Sequence, residues 1–272
     1  MTSSTSPGPR VAVVTGAARG IGAATVLALA GQGWSVLAVD RVADDPALPY
    51  PMAAEADLSA VLQQARRVAG ADRVAGYRAD VRDHAALAGA VADAEERWGG
   101  LDAAIAAAGV IAGGVRMWEV PPEQERAVLD IDLGGVINLA RAAVPALLRR
   151  SEPRSGRFLA VASAAATRGM PMLAAYCAAK AGVAGLIRAL GAELGGTGVT
   201  ANAVSPGSTA TPMLDESARM YGLADAQAFA AQQPARRLLD PAEVAAVLAF
   251  LAGPGSSAMT GAVVPVDGGL AL

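Results

Sequence analysis

Tyr176 and Lys180 stand four residues apart in a stretch patterned as a helix, so their side chains share one face. A free tyrosine has a pKa of about 10 and is a poor base at neutral pH. A nearby ammonium favours the phenolate and lowers that pKa. Tyr176 can then take a proton from an alcohol or give one to a carbonyl. Ser163, at the end of an apolar strand-like run, supplies a hydroxyl that can hold the substrate oxygen. Taken alone, a tyrosine and a lysine at this spacing are most often a solvated helix face; Ser163 and the turn described next reverse that reading.

The turn is Thr15-Gly16-Ala17-Ala18-Arg19-Gly20-Ile21-Gly22. It follows the apolar run Val11–Thr15 and opens directly into a helical pattern, the context in which such a glycine motif holds a dinucleotide. Gly16 allows the tight exit from the strand, Gly20 lets backbone approach a pyrophosphate, and Gly22 lets the helix pack near the sheet. The helix N-terminus offers free N–H groups and positive potential to phosphate. Asp40 ends the second strand and can bind both ribose hydroxyls of NAD while repelling a 2′-phosphate. Arg19 and Arg41 can attract such a phosphate, so NAD is favoured and NADP stays open as the lesser choice. Asp80 and Val81, at the end of the third strand, fit a contact to adenine.

Composition agrees with chemistry of this kind. The 272 residues contain one histidine, His84, and one cysteine, Cys177, which leaves little material for a histidine triad or a zinc site. His84 follows Asp83 at a helix start and reads as a surface residue; Cys177 reads as a small packing residue. No metal is expected. Hydrophobic residues make up 53% and charged residues 17%, enough apolar material for one large core. The net charge of −3 and the lack of a basic face argue against a nucleic-acid partner. Gly, Pro or charged residues interrupt the apolar stretches, so no membrane partner is expected. The polar start, residues 1–9, reads as a loose tail without a signal-peptide core, and a cytoplasmic location follows as the default.

The elements that must position these residues alternate. Strands are expected at Val11–Thr15, Ser35–Asp40, Arg73–Ala79, Ala103–Ala107, Arg157–Ala162, Val199–Val204 and Ala262–Val266. Helical patterns fall at Ala23–Gly31, His84–Trp98, Leu173–Leu194 and Ala242–Ala252, with two more segments in Val120–Arg150 joined around Gly134 and Gly135. Uniformly apolar strands separated by helices predict an α/β fold: a Rossmann-type, doubly wound, seven-stranded parallel sheet in a single domain, residues 10–272. Two segments break the rhythm. Residues 41–60 contain Pro46, Pro49 and Pro51, which forbid regular helix or central strand there. Residues 207–239 carry Met213, Leu214, Met220, Tyr221 and Phe229 and read as a substrate lid. Met170, Met172, Met213 and Met220 suit either an adaptable apolar pocket or ordinary core. Asn202 is expected to brace the loop before Pro206.

Taken together, TGAARGIG at 15–22, Asp80-Val81, Ser163, Tyr176-Cys-Ala-Ala-Lys180 and Asn202-Ala-Val-Ser-Pro-Gly207 resemble the short-chain dehydrogenase/reductase family over Arg10 to Leu272. The resemblance implies Tyr176 as general acid/base, Ser163 as substrate-orienting hydroxyl, and Lys180 as a ribose ligand that also lowers the tyrosine pKa. It implies cofactor contacts from Ala108, Gly109, Pro206, Gly207, Thr209 and Thr211, and a homotetramer built partly on TGAVVPVDGG near the C-terminus. Two departures stand out. The family's Asn-Asn-Ala-Gly is Ala106-Ala107-Ala108-Gly109 here, exchanging side-chain amides for packing. Its catalytic asparagine is Asp132, whose charge can pair with Lys180.

The long interval from Asp40 to Asp80, with its DDPALPYP segment, resembles carveol-dehydrogenase-like, mycofactocin-associated members. That likeness implies a loop over the adenosine end, slowly exchanging NAD and reoxidation by an external redox carrier; a tolerated surface insertion is the plainer reading. The expected activity is NAD-dependent interconversion of a small apolar secondary alcohol and its ketone, with a non-catalytic NAD-binding sensor or scaffold as the alternative.

Overall fold

The computed structural model describes residues 8–272; residues 1–7 of the expected tail lie outside the described residues, and Gly8 and Pro9 are exposed. Seven strands form one sheet: β1 (Val11–Thr15), β2 (Ser35–Asp40), β3 (Val74–Arg78), β4 (Ala103–Ala106), β5 (Arg157–Val161), β6 (Thr200–Pro206) and β7 (Val263–Val266). Their order is β3-β2-β1-β4-β5-β6-β7, and every pair is parallel. The order reverses between β1 and β4. The loops leaving their C-terminal ends therefore diverge and open a crevice, the usual ligand position in such sheets.

Strand periodicity divides the interior in two. Val11 and Val13 of β1, with Leu37 and Val39 of β2, enter one core; Ala12, Val14, Val36 and Ala38 enter the other. The first core is covered by α3 (His84–Trp98), α5 (Gly135–Arg149) and α6 (Ala174–Glu193), through Leu87, Leu139 and Ile187. The second is covered by α1 (Gly20–Gly31) and α8 (Pro241–Ala252), through Leu29 and Leu248. Burial on both faces explains why the strands carry no polar alternation.

Helix ends follow local chemistry. The Asp83 carboxylate accepts from the Ala85 and Ala86 N–H groups, which starts α3 and leaves His84 exposed on its first turn. The Asp240 carboxylate accepts from Ala242 N–H while Glu243 reaches back to Asp240 N–H, a capping box that starts α8.

Three expectations about elements need correction. Helix α1 begins at Gly20, so the last glycines of the turn are its first residues. The 41–60 segment is irregular only to Ala54; α2 (Glu55–Ala69) follows, held at its start by the Asp57 carboxylate on Ala54 N–H at 2.8 Å. Only Leu58 and Ala65 of α2 are buried, so its apolar signal is thin. The segments expected to join at Gly134 and Gly135 run on without a break there. Helix α4 (Pro122–Leu129) passes through one π-helical turn, Asp130–Gly134, into α5. This 28-residue run is long and apolar enough to cross a membrane by composition, and half of its most apolar stretch is buried in the domain.

The 207–239 segment, expected as a lid, folds into α7 (Pro212–Met220) and a short 3₁₀ segment, Ala226–Gln232. Tyr221 and Phe229 meet edge to face at 6.0 Å, and the Tyr221 hydroxyl donates to the Pro171 carbonyl at 2.6 Å. This segment is thereby tied to the loop between β5 and α6. Asn202 braces a different place from the one expected: its amide donates to Met259 O and its oxygen accepts from Ala262 N–H, fixing the approach to β7.

Candidate active site

The crevice is a cavity of about 630 Å³ along the C-terminal edge of the sheet, within the size range of ligand pockets. At one end lies the glycine turn. Gly16 and Gly20 have φ of +66° and +57°, in the left-handed region. A Cβ on Gly16 would lie 2.6 Å from the Ala108 backbone, and one on Gly22 would lie 2.0 Å from the Gly16 carbonyl oxygen. Helix α1 is thus pressed against the turn, and among the described residues no side chain caps its N-terminus. The loop after β4 is equally close. The Thr15 hydroxyl accepts from Ala107 N–H at 3.3 Å, a tie that braces AAAG where the family has amide side chains.

The Asp40 carboxylate is fixed before any ligand arrives, accepting from Ala18 N–H at 3.0 Å and Val42 N–H at 3.1 Å. Both arginines that could have drawn a 2′-phosphate are engaged by the 41–54 strap. Arg41 pairs with Asp45 at 2.7 Å and donates to the Asp44 carbonyl, and Arg19 donates to the Pro51 carbonyl at 3.2 Å. Arg82 bridges Asp80 at 2.6 Å and Asp45 at 2.9 Å. Burial raises the Asp45 pKa, but the Ala47 N–H and the two guanidinium groups outweigh it and hold the carboxyl below its ordinary range. The Asp80 carboxylate is likewise committed to Arg82 beside the cavity.

The strap has a further anchor that sequence reasoning missed. Tyr50 is largely enclosed, and its hydroxyl accepts from Ile111 N–H at 2.9 Å. Burial pushes its pKa upward despite that donor. Nothing in the sequence pairs residue 50 with residue 111; only the aromatic ring within a proline-rich run hinted at a docking residue.

In the middle of the cavity stand Ser163, Tyr176 and Lys180, all buried. Ser163 leaves the end of β5 and accepts from Ala165 N–H at 3.1 Å, which turns the chain. Lys180 Nζ donates to the Val161 carbonyl at 3.1 Å and sits 5.5 Å from the Tyr176 ring centroid. Burial raises the Tyr176 pKa; the Lys180 ammonium pulls it down, Asp132 pushes it up, and a hydrogen bond with Ser163 pulls it down. The lysine acts in the expected direction, but burial outweighs it, and in the protein alone the tyrosine lies above its ordinary value.

Asp132 stands behind this row, fully buried on the π-helical turn. Its Oδ1 accepts from Val110 N–H at 2.8 Å and its Oδ2 lies 3.1 Å from Lys180 Nζ. Gly109 leaves room for the contact, since a Cβ there would lie 3.2 Å from Asp132 Oδ2 and 3.4 Å from Lys180 Nζ. Burial raises the pKa of Asp132 despite the ammonium, while the carboxylate raises that of Lys180 against its own burial.

Of the residues expected at the site, Gly16, Arg19, Gly20, Ile21, Gly22, Asp40, Asp80, Val81, Ala108, Gly109, Ser163, Tyr176, Lys180, Pro206, Gly207, Thr209 and Thr211 all line this one cavity. Asp132 does not, and bears on it through Lys180. Met170 and Met213 line the far end with Pro171, Leu173, Tyr221 and Phe229. Met172 and Met220 do not; Met172 packs beside a minor pocket and Met220 against Gly114. Cys177 is half-buried off the cavity, its Sγ 4.0 Å from the Met170 carbonyl oxygen. A nicotinamide dinucleotide fits these residues. Gly16 and Gly22 leave no room for a Cβ, Asp40 is a pre-set acceptor suited to ribose hydroxyls, and the Tyr–Lys pair stands farther along, in the middle of the cavity.

A family model described as enoyl-(acyl carrier protein) reductase matches residues 16–271. The chain belongs to the short-chain dehydrogenase/reductase family. It is 34% identical over 266 residues to an NAD-dependent oxidoreductase of Mycobacterium tuberculosis, spanning 96% of this chain and 95% of that one. It is 38% identical over 267 residues to cis-4-hydroxycyclohexanecarboxylate dehydrogenase of Sinomonas cyclohexanicum, spanning 96% of each. Its fold matches the crystal structure of carveol dehydrogenase from Mycobacterium avium in complex with NAD, with a TM-score of 0.90, 30% identity and coverage of 97% and 98% of the two chains.

Proposed function

We propose that this NAD-dependent oxidoreductase interconverts a secondary alcohol and its ketone with Tyr176 as general acid/base. The observation that carries the reading is that Ser163, Tyr176 and Lys180 open onto the same cavity as the glycine turn and Asp40. Bound NAD supplies the acceptor or donor of hydride. The protein supplies the rest. Gly16, Gly20, Gly22 and Asp40 hold the adenosine and phosphate end, while Lys180, Pro206, Gly207 and Thr211 border the nicotinamide end. The Ser163 hydroxyl holds the substrate oxygen, and the Tyr176 oxygen takes the alcohol proton or returns it to the ketone. Lys180 favours the phenolate across 5.5 Å, and Asp132 keeps the buried ammonium charged from behind. The wall of Met170, Pro171, Leu173, Met213, Tyr221 and Phe229 suits an apolar substrate body.

The strap supports a finer reading: NAD stays bound through the cycle and an external carrier reoxidises it, as expected for the mycofactocin-associated group. Tyr50 on Ile111, Arg19 on Pro51 and Asp45 between two arginines close the segment over the adenosine end. A homotetramer in the cytoplasm completes the proposal. Its support is the half-exposed edge strand β7 and Phe250, 52% exposed on α8 beside it. A non-catalytic sensor is not favoured, since it needs none of the three hydroxyl and ammonium groups arrayed here.

Tyr176→Phe tests the assignment. The variant is expected to retain NAD and to lose turnover by about 10²–10⁴-fold with an artificial electron acceptor. Activity kept at the wild-type level overturns the role of Tyr176.

A further inference from the structure

The charges lining the cavity are unevenly placed. Arg19, Asp40, Arg41, Asp45 and Asp80 cluster at the adenosine end, and Lys180 lies at the centre. Beyond Tyr176, where the walls are apolar, the lining holds one charged residue among the described residues, Arg168. It belongs to the loop that joins Ser163 to the start of α6, and its backbone N–H is tied to the Ala164 carbonyl at 2.9 Å.

The guanidinium is also held. Arg168 Nη1 donates to the Leu270 carbonyl at 2.9 Å, and Leu270 is itself buried in the cavity wall. Among the described residues no carboxylate lies within 4.0 Å of it, whereas Arg41 and Arg82 beside the same cavity are both paired with aspartates. One nitrogen is spent on a carbonyl; the residue is otherwise exposed at the cavity's edge, and its remaining donors make no hydrogen bond among the described residues. A fork of this kind suits a carboxylate, which it can grip through two parallel hydrogen bonds.

We propose that Arg168 selects a substrate with a carboxylate at the end remote from the reacting hydroxyl, making the substrate class an apolar-bodied secondary hydroxy acid or its keto acid. The assignment rests on the alcohol-dehydrogenase reading of the same cavity. It gives the site two fixed points: Ser163 and Tyr176 hold the reacting oxygen, and Arg168 holds the acid beyond an apolar span. An arginine that merely clamps the C-terminal segment through Leu270 would serve no such discrimination.

The experiment uses the NAD-loaded full chain with an artificial electron acceptor. A panel of cyclic and open-chain secondary hydroxy acids is assayed, each against its methyl ester, on the wild type and on Arg168→Gln and Arg168→Lys. Wild type is expected to prefer the best acid over its ester by about tenfold or more in kcat/KM, the scale of one charged hydrogen bond. Arg168→Gln is expected to abolish that preference through KM, and Arg168→Lys to restore part of it. The acid's KM is expected to rise with ionic strength while the ester's does not. Esters turned over as well as acids, or an equal fall on both in Arg168→Gln, overturn the inference and leave the alcohol-dehydrogenase reading standing. No turnover of either class by NAD-loaded protein overturns the inference, and no turnover of plain secondary alcohols as well overturns both.

Discussion

Asp132 Oδ2 lies 3.1 Å from Lys180 Nζ, with Asp132 wholly enclosed and Lys180 only 4% exposed. The ammonium that stabilises the Tyr176 phenolate is therefore shared with a second anion. This anion stands where the family carries a neutral amide, and it works against the tyrosine: Asp132 raises the Tyr176 pKa that Lys180 lowers.

The consequence is a pH profile. With Tyr176 as the proposed base, the rate of alcohol oxidation is expected to rise as Tyr176 loses its proton, and burial first, then Asp132, displaces that rise to higher pH. Removing the negative charge should move it back. In Asp132→Asn, kcat against pH is expected to rise at lower pH than in wild type. Ser163 and Lys180 still face the tyrosine, and Cys177, which also pushes the tyrosine upward, is unchanged. No movement would mean that the pair does not bear on Tyr176. A movement to higher pH would mean that Lys180, whose burial favours the neutral amine, loses its charge without Asp132.

Much of this site was legible in the sequence because its parts are local. The glycines of 15–22 declare a turn through conformations only glycine adopts easily, and Tyr176 and Lys180 declare a shared face through helical spacing. The strands declared themselves as unbroken apolar runs because both faces are buried. What stayed hidden depends on contacts between distant segments. Helix α2 buries only Leu58 and Ala65, so its period is faint, and the prolines upstream masked where regular structure resumes. Tyr50 on Ile111 and Arg168 on Leu270 join residues far apart in the chain. The net pKa of Tyr176 depends on burial, a property of the folded cavity that residue spacing does not carry.

The close approach of α1 to the turn yields a second prediction. In Gly22→Ala the new methyl would lie 2.0 Å from the Gly16 carbonyl oxygen, so helix and turn must separate. Overpacking of this kind costs about 1–3 kcal/mol, and in a domain of this size each kcal/mol lowers Tm by about 2–4 °C. Nucleotide affinity is expected to fall by at least about tenfold, because the N–H groups that meet phosphate move with the helix. Gly31→Ala, at the other end of α1, meets nothing within 4 Å and serves as the control. It should leave affinity unchanged and raise stability by a few tenths of a kcal/mol to about 1 kcal/mol. Calorimetry and NAD titration of the two variants measure both effects, and equal behaviour would remove the close-packing argument.

The 41–54 strap, proposed to cover the adenosine end, gives the third. The Tyr50 hydroxyl accepts from Ile111 N–H and fastens the irregular 41–54 segment to the loop after β4. Tyr50→Phe keeps the ring in place and removes the oxygen, leaving a buried N–H unsatisfied at a cost of about 1–3 kcal/mol. That cost falls on the closed position of the strap, so opening becomes easier by the same amount. Ser163, Tyr176 and Lys180 are untouched, being carried by β5's end and α6. Release of NAD should therefore quicken by about 5- to 150-fold, since each 1.4 kcal/mol is a factor of ten. Native mass spectrometry after timed exchange into labelled NAD follows the release directly. Wild type is expected to keep its original nucleotide on the timescale on which Tyr50→Phe has exchanged it. Equal exchange in the two proteins, fast or slow, would separate the strap from retention and leave the insertion as a surface elaboration.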